Sequence, residues 1–68
     1  MTFKIEIEQE SDGRWIAEIA ALPGVLAYGT TATDATAKVQ ALALRVLADK
    51  VEHGEAVTEL LSVSFQAA

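Results

Sequence analysis

Thr31-Ala32-Thr33-Asp34, at the head of the run TTATDATAKVQALALRVLADKVEHG over residues 30–54, decides how this chain folds. Its pattern is a helix start. Thr31 is placed as N-cap and Asp34 sits three residues on, as in a capping box. Asp34 also complements the positive end of a helix dipole. Alanine and leucine fill the residues that follow, and both favour helix. Lys50 and His53 fall in the last turn and Gly54 follows as a C′ residue. The expected helix runs over residues 32–53.

That helix carries two apolar stripes. Ala35, Val39, Leu42, Ala43 and Val46 share one, which should lie on a sheet, while charge gathers at Lys38, Arg45, Asp49 and Glu52. Ala37, Ala41, Leu44, Ala48 and Val51 form a second stripe roughly opposite. A helix on one sheet buries only one stripe. The second, with Leu44 and Val51 as its bulky members, is the candidate interface for a neighbouring protomer or partner. The plain alternative is that alanines on a surface helix need no cover.

Working towards the N-terminus, the pattern changes to period two. In residues 2–9, Phe3, Ile5 and Ile7 alternate with Lys4, Glu6 and Glu8, the signature of a half-buried strand. Asp12-Gly13 marks a hairpin turn. A second strand is expected over residues 15–20, with Trp15, Ala17 and Ile19 towards the core. Leu22-Pro23-Gly24 breaks pairing, and a third strand follows over residues 25–30. Beyond the helix, residues 59–66 alternate again, with Leu61, Val63 and Phe65 on one face and Leu60, Ser62, Ser64 and Gln66 on the other. The order β-β-β-α-β implies one α+β domain over residues 1–68, two layers deep, with one helix on a small, mainly antiparallel sheet.

Size and charge restrict the function. A chain of 68 residues buries only about 60% of its unfolded surface. With no cysteine and a single histidine, disulfides and thiolate metal sites are out, and oligomerisation is the common remaining source of stability. The net charge of −5 is spread along the chain, which repels phosphate backbones and disfavours direct nucleic-acid binding. It attracts basic partners. The longest charge-free stretch, residues 19–33, holds Pro23, two glycines and four threonines or tyrosines, so no membrane association is expected. The N-terminus lacks the basic and apolar blocks of a signal peptide, so the expected location is cytoplasmic.

Chemistry is nearly silent. His53 stands alone, Ser62 and Ser64 have no glycine-rich elbow, and Gly24 and Gly29 are too isolated for a nucleotide loop. Glu6, Glu8 and Asp12 could gather a divalent ion, but alternating acids are also what a solvated strand face looks like. Trp15 and Tyr28 read as core or interface anchors rather than base-stacking platforms. No catalytic residue, cofactor or metal is expected, and the chain reads as a binding protein rather than an enzyme.

The run Asp12-Gly13-Arg14-Trp15-Ile16-Ala17-Glu18-Ile19, then Leu22-Pro23-Gly24-Val25, then Tyr28-Gly29-Thr30-Thr31, resembles the HicB-like antitoxin family. The stretch from Ala41 to Asp49, with Glu52-His53-Gly54-Glu55, is similar to short members of that family. Ala20 and Ala21 stand where many relatives have a proline and an acid, and Asp34-Ala35 where many have Glu-Ala. The resemblance covers about residues 3–66 and implies a partial RNase H-like fold without its nuclease centre. It implies an antitoxin that binds a small basic HicA-type toxin, an mRNA-cleaving protein, and covers its active surface. Family members commonly form dimers or higher assemblies, so a homo-oligomer is expected. Longer members append a DNA-binding domain, which is not expected here. The alternative is an orphan HicB-like oligomeric interaction module with no toxin partner.

Overall fold

Backbone meets backbone where the helix begins. In a computed structural model that describes residues 1–55 and 62–68, a Cβ built on Gly29 would lie 2.4 Å from the Ala35 nitrogen and 2.8 Å from its Cα. No side chain fits in that gap, so the third strand and the first helical turn touch directly. This contact seats a single helix, α1 (Ala32–Glu52), on one face of a four-stranded sheet. The strands are β1 (Thr2–Gln9), β2 (Trp15–Glu18), β3 (Leu26–Gly29) and β4 (Ser64–Ala67), in spatial order β3-β2-β1-β4. The first two pairings are antiparallel and β1–β4 is parallel, giving a mixed, mainly antiparallel sheet in a two-layer α+β domain. Residues 59–61 of the expected last strand, Leu60 and Leu61 among them, lie outside the described residues.

Each element stops where its sequence makes it stop. Gly13, at φ +91°, closes a three-residue hairpin loop in which the Glu10 nitrogen donates to the Arg14 carbonyl at 2.7 Å. A left-handed glycine in the last loop position is what such a loop requires. The corner at Leu22-Pro23-Gly24 is held by Leu22 N–H donating to the Ile19 carbonyl and Val25 N–H to that of Leu22, both at 3.0 Å. At this corner β2 ends two residues earlier and β3 begins one residue later than the sequence pattern suggests. At the helix C-terminus, Glu55 N–H donates to Lys50 O and Gly54 N–H to Val51 O, the paired bonds of a Schellman motif.

The helix start is a modified capping box. Asp34 N–H donates to Thr31 Oγ1 at 3.0 Å. The reciprocal bond does not return to the N-cap. The Asp34 carboxylate instead accepts from Thr30 N–H at 3.1 Å, one residue earlier, and pairs with Lys38 Nζ at 3.1 Å. One side chain thus ties the end of β3 to the first two turns of α1. The Thr30 N–H, and then Lys38, hold the Asp34 carboxyl below its ordinary pKa.

The core consists of Phe3 and Ile5 from β1, Ala17 from β2, Ile19 just after β2, Val25 just before β3, and Ala35, Val39, Ala43 and Leu47 from α1. Leu42 and Val46, expected on the sheet-facing stripe, are half-buried at its margin, and Leu47 is buried in their place. Ile7 also departs from expectation. It shares the inner face of the sheet through its pairing with Ala17, yet it is 37% exposed. The helix starts over Gly29 on β3, and Leu47, near its far end, lines a groove with Val63 just before β4. It therefore crosses the sheet obliquely and leaves the corner of β1 at Ile7 uncovered.

Gly29→Ala should cost about 1–3 kcal/mol, the usual range for forcing atoms into a packed site, because backbone and not a flexible side chain must move. Urea denaturation checks this; an unchanged midpoint would mean that α1 can lift off β3 freely. Asp34 has a pKa lower in the folded than in the unfolded chain. Its contribution is therefore complete at pH well above about 3.9 and is lost as pH falls through the folded value. The Tm gap between wild type and Asp34→Asn should stay constant from pH 7 to about 5 and close below about 4.

Candidate interaction surfaces

The five residues of the second helical stripe, Ala37, Ala41, Leu44, Ala48 and Val51, are all exposed. Leu44 and Val51 leave 52% and 53% of their surface in solvent. Their spacing of 4-3-4-3 is that of a coiled-coil seam. The seam faces away from the sheet, because the buried residues Ala35, Val39 and Ala43 occupy the other side of α1. Beside it runs an open groove of about 390 Å³ lined by Leu44, Leu47, Ala48, Val51, Glu52 and Val63. Structure thus brings the whole sequence-derived interface set onto one continuous surface, and adds Val63 from a segment remote in sequence.

The second surface is the open face of the sheet. Strand register places Leu26, Glu18 and Glu6 in one row across β3, β2 and β1, and Tyr28, Ile16 and Glu8 in the next. Tyr28 is 41% exposed and Leu26 is exposed beside it. Glu6 and Glu18 are direct cross-strand partners. Like charges in that position oppose strand pairing. The face therefore combines uncovered apolar groups with carboxylates that repel one another. Towards β4 it becomes polar, with Lys4 opposite Gln66 and the Thr2 hydroxyl 2.9 Å from that of Ser64.

At the hairpin end of this face, Arg14 is fixed twice. Its Nε donates to Asp12 Oδ2 at 2.8 Å and its guanidinium carbon lies 4.6 Å from the centre of the Tyr28 ring. The Arg14 backbone N–H, more than its side chain, lowers the Asp12 pKa. Arg14, Tyr28, Gly29, Thr30 and Lys38 line a recess of about 200 Å³. Its two cations are already paired, with Asp12 and Asp34. Asp12 is committed to the turn and does not join Glu6 and Glu8. Among the described residues no three His, Asp or Glu side chains gather as a metal site. His53 caps the helix, with Nδ1 2.7 Å from the Asp49 carbonyl oxygen. Trp15 points inward and packs on the core.

No protein-family model, curated protein or solved structure matches this chain.

Sequence reasoning placed the helix seam but passed over the opposed pair Glu6–Glu18. Each strand shows its acid on the polar side, yet which acids meet depends on register. The Asp12-Gly13 turn held the signal, because a three-residue loop fixes every pairing behind it. Glu18→Lys should raise stability by about 0.2–1 kcal/mol by turning a like-charge cross-strand pair into an opposite one. Thermal unfolding checks the sign; a lower Tm would show that the pair carries no net repulsion.

Proposed function

We propose that this chain is a HicB-like antitoxin domain that binds a small basic HicA-type toxin and neutralises it by covering its RNA-binding surface. The observation that carries this reading is the open sheet face. Glu6 and Glu18 are held opposite each other at a cost to the sheet, next to Glu8 and the exposed Leu26 and Tyr28. A basic surface brought against this face would relieve the repulsion, and Tyr28 and Leu26 would supply apolar contact. Such a face imitates the charge of a phosphate backbone while offering nothing to cleave. The resemblance carried by residues 12–31 supplies the toxin class.

Inhibition here is stoichiometric masking, so the chain acts as a binding protein, in the cytoplasm, without cofactor or direct nucleic-acid contact. Among the described residues no helix is long and apolar enough to cross a membrane. The exposed seam on α1 favours a second reading, an oligomeric interaction module without a toxin partner.

The reading requires a small basic protein encoded next to this chain, and the test uses that protein. RNA cleavage by that protein should stop at a near-equal molar ratio of this chain. The double variant Glu6→Gln, Glu18→Gln should weaken complex formation about tenfold or more at low salt, with a shallower salt dependence than wild type. Full inhibition by the double variant would place binding elsewhere. Absence of complex and of inhibition would favour the module without a toxin.

A further inference from the structure

We propose that the outer edge of β3 binds an extended peptide segment of another protein as an added strand, with an acidic side chain of that segment held between Arg14 and Lys38. This inference goes beyond toxin binding and does not depend on it. β3 ends the sheet on one side, in the order β3-β2-β1-β4. Ile19 N–H donates to the Val25 carbonyl at 3.0 Å, so Val25, Ala27 and Gly29 turn their backbone groups to β2. Those of Leu26 and Tyr28 therefore point out of the sheet, and among the described residues no backbone group bonds to them. The hairpin sets the same alternation from the other side. Glu10 N–H donates to Arg14 O, which commits Ile16 and Glu18 to β1 and leaves Trp15 and Ala17 for β3.

The chain itself shows what this edge accepts. Thr30 N–H, the next outward donor in the row, is bound by the Asp34 carboxylate at 3.1 Å. That bond closes the end of the edge and stops short of Tyr28 and Leu26. Neither proline nor charge guards these two positions, and both carry exposed apolar side chains. Edges kept from pairing commonly carry one or the other. An antiparallel segment exchanges two hydrogen bonds with each of them. Its side chains alternate between the open face beside Tyr28 and the flank of α1.

Charge selects the segment. Arg14, Tyr28, Gly29, Thr30 and Lys38 line the recess at this end of β3, and neither Asp12 nor Asp34 is among its walls. Two of the chain's five Lys and Arg residues thus meet there, in a protein of net charge −5. Arg14 bonds Asp12 through Nε and lies on the Tyr28 ring, which fixes its guanidinium. Among the described residues its two Nη groups have no partner. The Lys38 side chain is 56% exposed while bonded to Asp34, so it can serve a second carboxylate. A carboxylate entering the recess takes both cations, with the arginine fork as its bidentate partner. A basic side chain is repelled at the same place. The added strand lies in the plane of the sheet, so Glu6 and Glu8 on the open face stay uncovered.

The experiment selects binders of the wild-type chain from a phage-displayed library of linear peptides. Enriched sequences should share one Asp or Glu flanked by strand-favouring residues. Their synthetic forms should bind the double variant Arg14→Gln, Lys38→Gln about tenfold or more weakly, as expected for lost charge-assisted bonds, while its circular dichroism spectrum matches wild type. Leu26→Pro removes only an outward N–H and should abolish binding, whereas Leu26→Ala keeps that N–H and should retain most of it. Hydrogen exchange gives a reading that needs no variant. The Leu26 and Tyr28 amides should exchange fast in the free chain and about tenfold or more slowly with peptide bound, while Ala27 is slow in both. Absence of enriched peptides overturns the proposal, as do peptides without a shared acid or indifferent to the double variant. Leu26 and Tyr28 amides that stay fast with peptide bound overturn the edge as the site. Protection of these amides in the free chain that grows with its concentration gives the edge to a second copy and overturns the proposal equally.

Discussion

The approach of Gly29 to the backbone of Ala35 is the constraint on which the rest of this structure depends. It brings the helix as near to the sheet as two main chains can come. The neighbouring residues reinforce it. The Asp34 carboxylate receives the Thr30 N–H and the Asp34 N–H meets the Thr31 hydroxyl, so strand end and helix start share two bonds. Near the helix start the small residues Ala17, Ala27 and Ala35 lie between the layers, with Trp15, the cross-strand partner of Gly29, packed at the margin of the core. Val39, Leu47 and Phe3 supply larger groups farther along.

Among the described residues the core is small, with three alanines among its nine buried residues. Among the described residues no polar side chain is buried and no buried side-chain polar atom lacks a partner. That part of the interior is free of the unsatisfied groups that would weaken a small domain further. The larger apolar groups that the interior does not use, Leu44, Val51, Leu26 and Tyr28, are distributed on two separate surfaces. One is a helical seam with mixed charge on its flank. The other is a strand face that carries acids. Their separation follows from the architecture, since a helix on one side of a sheet leaves its own back and the far side of the sheet both uncovered.

Charge distinguishes the two surfaces. On the helix, Lys38, Arg45 and Glu52 mix the two signs along one flank. On the sheet, Glu6, Glu8 and Glu18 share one sign. Repulsion between Glu6 and Glu18 is a local cost retained in a domain with little stability to spare.

The sequence by itself determined the order of elements, the exact helix start and the face of nearly every strand residue. These are local properties, set by period, by Thr31 and Asp34, and by turn residues such as Gly13. It also determined that the helix would carry an apolar stripe which the sheet could not cover. Tertiary structure decided what depends on two elements meeting. The oblique crossing of the helix exposed Ile7 and drew in Leu47, although alternation alone puts Ile7 with Phe3 and Ile5. Register set Glu6 against Glu18. The parallel pairing of β4 with β1 placed Phe65 against Phe3, with ring centres 6.0 Å apart, and brought Val63 beside Leu44. A periodic pattern says which way a side chain points, but distance between layers, angle of crossing and cross-strand neighbours arise only when the layers pack.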